Sequence, residues 1–138
     1  MRHRIEHKVG RIRYYLSLLE EYRPECVERF KKDPMFEGAL LHYLYLVSDG
    51  CIALAEMMLK YRRFGASQSY YEAIDLLGEH GIIPREFAYD FSSVASFRNF
   101  LAHDYEKIDA FRICNEALEK LDDVRKYLDY IEAQIEKH

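Results

Sequence analysis

Apolar side chains recur at three- and four-residue steps along most of this chain, and each run marks the buried stripe of an amphipathic helix. Ile5, Val9, Ile12, Leu16 and Leu19 form the first stripe, which predicts a helix from about residue 3 to 22, stopped by Pro24. A short helical piece from Glu25 to Lys32 follows. Asp33-Pro34 then has the form of an N-cap with proline in the first turn, and it opens the longest predicted helix, Met35 to about Arg62. Phe36, Leu40, Leu44, Val47, Cys51, Leu54, Met58 and Tyr61 form its stripe, while Ala39, Gly50, Ala53 and Ala55 leave room for close neighbours. This helix should be central to the core. Phe64 to Ser69, with Gly65 and small polar residues, predicts a loop, and a helix from about Tyr70 to Glu79 is closed by Gly81. Pro84 opens a further helix that carries Arg98 and Asn99 in its late turns and ends near His103 to Tyr105. Asp109 caps a last helix whose stripe, Ile113, Ala117, Leu121, Val124, Leu128, Ile131 and Ile135, runs almost to His138. No strand periodicity, internal repeat or low-complexity tract is visible. The expected architecture is all-α, an antiparallel four-helix bundle with short accessory helices.

Composition narrows the reading. A chain of 138 residues, 49% of them apolar, suits one domain spanning residues 1–138. The net charge of −4 provides no global field towards nucleic acid or an anionic membrane, so any RNA contact must be local. Residues 1–33 hold nine Lys/Arg against six Asp/Glu, whereas residues 34–103 hold five against eight and residues 104–138 six against ten. The basic excess therefore lies at the amino end. Cys26, Cys51 and Cys114 are odd in number and far apart, which predicts reduced, mostly buried thiols rather than a disulfide framework or a thiolate metal site. His3, His7, His42, His80 and His138 suggest no ligand set, so no metal and no cofactor are expected. Charge follows Met1 directly and no uninterrupted apolar stretch reaches spanning length, which predicts a cytoplasmic protein without a membrane partner.

The chemistry gathers in Phe97-Arg98-Asn99-Phe100-Leu101-Ala102-His103-Asp104-Tyr105. On an ideal helix Arg98 and Tyr105 share a face, Asn99 and His103 are an i,i+4 pair, and Arg98 and His103 stand about 140° apart. Arg98 and His103 would meet at one substrate atom if the helix unwinds near Ala102 or if a second copy of the chain supplies one of them. A plainer reading treats these residues as cations complementing a helix C-terminus. Tyr14-Tyr15, Tyr43/Tyr45 and Tyr70-Tyr71 could stack on RNA bases, although tyrosines at helical spacing more often edge a core or an interface. Asp49, in the middle of the longest helix, is either solvent-facing or a partner for a motif cation, with the solvent-facing reading in front.

The order of a long central helix, the segment Tyr71-Glu72-Ala73-Ile74-Asp75-Leu76-Leu77, the turn Gly81-Ile82-Ile83-Pro84, and the Arg98, four residues, His103, one residue, Tyr105 pattern before Ile108-Asp109 resembles the HepT-like ribonucleases of the HEPN superfamily. The resemblance covers roughly residues 5–135. It implies an endoribonuclease toxin that cuts RNA without metal as a homodimer and is paired with a small nucleotidyltransferase antitoxin. Carried over, Arg98 and His103 are the catalytic pair, Asn99 and Asp104 support them, and Tyr105 is the residue the antitoxin modifies with AMP. Metal-free RNA cleavage asks for a base at the 2′-OH, an acid at the leaving 5′-oxygen and positive charge at the phosphorane, and two facing motifs would provide all three. DNA is not an expected partner. Relatives often carry an acidic residue near the place of Ala53 and a polar one near that of Met57, and this chain departs at both. The alternative is a non-catalytic substrate-binding or docking module for the same nucleotidyltransferase.

Overall fold

A computed structural model describes residues 1–103 and 108–136. The first helix, α1 (Arg2–Glu21), buries Ile5, Val9, Ile12, Leu16 and Leu19, the stripe its spacing predicts. After Pro24, α2 (Cys26–Lys32) leads to α3 (Pro34–Tyr61), where the Asp33 side chain accepts from the backbone N–H groups of Met35 and Phe36 at 3.0 and 3.3 Å. Proline at the first position of α3 loses nothing, because that N–H has no partner within a helix. Ser69 caps α4 (Tyr70–Glu79) through the Glu72 N–H. Gly81, at φ +72°, lets the Ile82 N–H turn back to the Leu77 carbonyl at 2.9 Å, and so closes α4 as the sequence predicts.

Two predicted helices are interrupted. The one opened by Pro84 is split into α5 (Arg85–Phe91) and α6 (Val94–His103), because Ser92 and Ser93 turn their hydroxyls onto the Tyr89 and Asp90 carbonyls. The last helix is capped by Asp109 as expected but begins as a single short turn, α7 (Ala110–Arg112). It widens into a π-helical segment over Ile113–Ala117 and resumes as α8 (Leu121–Glu136). The predicted stripe survives this break, with Ile113, Leu121, Val124, Leu128, Ile131 and Ile135 buried and Ala117 at the core's edge. No strand occurs among the described residues.

At the centre lies α3, packed between α1 on one side and α6 on the other, with α4 and α8 completing the bundle. Gly50 allows the close approach of α1, since a Cβ there would stand 3.0 Å from Ile12 Cγ1. From α8 the wholly buried Tyr127 donates its hydroxyl to the Cys51 carbonyl at 2.8 Å. Burial, together with the neighbouring Cys51, raises its pKa well above 10.0. The outer edge of α8 is tied to α1 by Arg13, which pairs with Asp129 and Glu132, and by Arg125 on Glu20. By length and mean hydropathy α3 passes as a candidate membrane span, although Glu37, Asp49 and Glu56 interrupt its apolar run. Most of its apolar window nonetheless packs inside the bundle, as in the core helix of a helical domain.

The cysteine expectation is corrected. Cys26 at the start of α2 and Cys114 in the π-helical segment form a disulfide, although 88 positions separate them. Folding brings α2 beside the π segment, where Arg23 also donates to the Leu118 carbonyl. Only Cys51 remains a free thiol, and burial pushes its pKa up.

Candidate active site

Arg98 projects from α6 into the angle between α3 and the start of α4. Its Nε donates to Asp49 Oδ1 at 3.1 Å, one terminal nitrogen donates to the Tyr45 hydroxyl at 3.1 Å, and the other donates to Asn99 Oδ1 at 3.2 Å. The rings of Tyr45 and Tyr70 lie 5.2 and 4.9 Å from its central carbon, within cation–π range. Burial alone would lower the guanidinium pKa, but the Asp49 hydrogen bond and the neighbouring Tyr45 and Tyr70 outweigh it, and the net shift is upward. Arg98 is therefore a fixed cation with its side chain only 17% exposed. Three of its five N–H groups have these partners. One N–H on each terminal nitrogen is left, an arrangement that suits two oxygens of a phosphate.

The remaining motif residues fall in different places. Asn99 is exposed and turned towards Arg98 rather than paired with His103. His103 is the last residue of α6 and is exposed. The helix stays regular through it, so unwinding near Ala102 is excluded and the angle of about 140° between Arg98 and His103 stands. Asp104 and Tyr105 lie outside the described residues.

The solvent-facing reading of Asp49 gives way to the other one, because its half-exposed carboxylate holds Arg98 in place. Tyr45 and Tyr70, read from sequence as base-stacking candidates, serve instead as walls around the guanidinium. Tyr45 and Asp49 are one helical turn apart, a signal present in the sequence, whereas Tyr70 reaches the site only because α4 packs against α3 and α6.

A cavity of about 770 Å³ contains neither Arg98 nor His103. It lies between α3, α6 and the π segment, with Val47, Phe97, Phe100 and Val124 in its walls. Asp90, Asp109, Glu116 and Asp123 outnumber Arg112 and Lys120 at its edge, which disfavours a phosphate strand. No group of three or more His, Cys, Asp or Glu side chains placed to hold a metal ion occurs among the described residues.

The sequence matches the family described as Ribonuclease HepT-like over residues 12–131. The chain belongs to the HepT-like ribonuclease family. Among curated relatives, the mRNA nuclease HepT of Shewanella oneidensis is 22% identical over 106 residues, which is 77% of this chain and 80% of that one. A candidate RNase of Archaeoglobus fulgidus is 25% identical over 134 residues, 97% of each chain. Solved structures share the fold. The tri-AMPylated HEPN toxin of S. oneidensis, in complex with its MNT antitoxin, superposes with a TM-score of 0.82 at 20% identity, covering 94% of this chain and 96% of that one. The cytosolic protein YutE of Bacillus subtilis gives 0.83 at 15% identity, covering 99% and 91%. In this HepT-like chain Asp49 supplies an acidic side chain on the central helix, one turn before Ala53.

Proposed function

We propose that this HepT-like chain is an endoribonuclease toxin that cuts RNA without metal at a site shared by two copies of the chain. The observation that carries the reading is the unbroken α6. Arg98 is fixed against α3 while His103 faces outward on another side of the same helix, so one chain cannot aim both at one phosphate. A two-fold partner resolves the conflict by placing its own motif opposite. The outer stripe of α3 suits such a contact, since Ala39, Leu46, Ala53 and Met57 are half-buried and small or flexible.

In the shared cleft one imidazole takes the proton from the 2′-OH, whose oxygen attacks the adjacent phosphorus. The second imidazole protonates the departing 5′-oxygen, and a 2′,3′-cyclic phosphate remains. Arg98 offers its two spare N–H groups to the charge that builds on the phosphorane. Asn99 and Asp49 keep the guanidinium in place, and Asp104 has a supporting role in the reaction. DNA lacks the nucleophile and is not a substrate. RNA as substrate also fits a cytoplasmic location.

Inhibition follows from the same geometry. A minimal nucleotidyltransferase antitoxin transfers AMP from ATP to the Tyr105 hydroxyl and releases pyrophosphate, and the added phosphate competes with RNA for Arg98. This step draws on the modified S. oneidensis toxin. A second reading, a non-catalytic docking module, is favoured by the three internal hydrogen bonds of Arg98, which a purely structural arginine would also make. Incubation of the purified chain with RNA in EDTA separates the two. Cleavage is expected, with losses of about a hundredfold or more in Arg98→Ala and His103→Ala at unchanged circular dichroism. Full activity in His103→Ala would remove the mechanism. Co-expression with the antitoxin should add AMP-sized mass to a peptide containing Tyr105, absent in Tyr105→Phe.

A further inference from the structure

We infer that one edge of α1, carrying Arg4, Lys8, Arg11, Tyr14 and Tyr15, is a second RNA contact that holds the strand outside the shared cleft, on the flank of α3 away from Arg98. The inference rests on the ribonuclease reading and extends it from the cleavage site to the path of the substrate.

The two edges of α1 differ in how their charges are used. On the edge beside α8, Arg13 and Glu20 are engaged in ion pairs, Glu20 with Arg125 and with Arg23 just past the helix end. On the opposite edge Arg4, Lys8 and Arg11 form no ion pair among the described residues. Arg11 instead donates to the Tyr15 hydroxyl at 2.9 Å and lies 5.3 and 5.0 Å from the centres of the Tyr14 and Tyr15 rings. Tyr14 is half exposed, and Tyr15 stacks on Tyr43 of α3 at 5.8 Å and 28°. A row of cations outside ion pairs that ends on supported aromatic faces is what a single-stranded polyanion with bases requires. The local basic excess read from residues 1–33 thus acquires a place on the surface.

Register links this edge to the cleavage site. The stem of Lys8 comes within 4.0 Å of the position a Gly50 Cβ would take, and Tyr15 meets Tyr43, so α1 runs antiparallel to α3 with Lys8 level with Gly50. Arg98 grips Tyr45 and Asp49 on the other flank of α3 at the same height. Only the width of one helix, about 10 Å with its side chains, lies between them. The cavity between α3, α6 and the π segment has an acidic edge and does not suit a polyanion.

The test uses the full chain in a His103→Ala background, so that RNA survives, and a fluorescent uridine-rich oligoribonucleotide followed by anisotropy across a salt series. Combined Arg4→Gln, Lys8→Gln and Arg11→Gln should weaken binding at least tenfold and lower the slope of log K against log salt by about 2, three phosphate contacts at about 0.7 each. Tyr14→Ala should weaken binding with little change in slope, because stacking releases no counterions. Combined Arg112→Gln, Lys120→Gln and Lys126→Gln, an equal loss of exposed charge elsewhere, should bind like the parent. Equal losses in both triple variants would show a response to net charge alone and overturn the proposal. Unchanged RNA affinity with loss of dimerisation or of antitoxin binding would assign this edge to a protein contact, and that too overturns it. If the parent itself fails to bind RNA, the ribonuclease reading fails; if it binds and the α1 variants match it, only the α1 contact fails.

Discussion

Replacing Asp49 with alanine would ask whether this carboxylate aims Arg98 or merely neutralises it. The pair is 3.1 Å apart, with Arg98 at 17% side-chain exposure and Asp49 at 44%. A fully exposed pair contributes up to about 1 kcal/mol, whereas breaking a buried one costs about 3–5 kcal/mol. This mixed case, discounted for the exposed carboxylate, should cost roughly 1–2 kcal/mol. For a chain of this length the unfolding temperature should fall by roughly 3–8 °C. Tyr45 and Asn99 keep their hydrogen bonds in the variant, so the guanidinium should remain near its place but swing about those contacts. Loss of alignment at the phosphorane should then lower single-turnover RNA cleavage by about tenfold, because misplacement of a charge-stabilising group is costly in rate. Asp49→Asn, which retains an acceptor for Nε, should recover part of that loss. Thermal unfolding and cleavage must be measured on the same preparations. Cleavage that stays constant or rises in Asp49→Ala while stability falls would refute the reasoning, since it would mean that Asp49 withholds Arg98 from the substrate.

Reduction of the Cys26–Cys114 disulfide, which spans 88 positions, should destabilise the chain by about 4–5 kcal/mol in the loop-entropy view, read as a lower unfolding temperature with reductant that Cys114→Ser reproduces. Alkaline stability should fall as well. Tyr127 and Cys51 bind their protons more tightly folded than unfolded, so their contribution is complete below the ordinary values of 10.0 and 9.0 and declines above them, by about 1.4 kcal/mol per pH unit for each group while only the unfolded form ionises. Denaturant midpoints between pH 8 and 11 would check this, and a flat profile would contradict it. Ala53→Arg on the outer stripe of α3 should convert a dimer to monomer in sedimentation without unfolding it, and should abolish cleavage with it.

The helices of this HepT-like chain were legible in its sequence because their information is local. Stripes such as Ile5 to Leu19 and Phe36 to Met58, the Asp33-Pro34 and Asp109 caps and the Gly81 closure each depend on neighbours within a few residues. The motif itself, with Arg98 and His103 at helical spacing, was legible for the same reason. Ser92-Ser93 and the π-helical segment were missed because short-range serine hydrogen bonds and one extra residue per turn leave the apolar period almost intact. What the tertiary structure alone decided was which distant groups share a small volume. Asp49, Tyr45 and Tyr70 close around Arg98, and Cys26 meets Cys114, only after α3, α4, α6 and the π segment have packed. A periodic pattern fixes which face of each helix is buried, but the pairing of faces is set by how whole helices fill a common core, and that depends on side chains far apart in the chain.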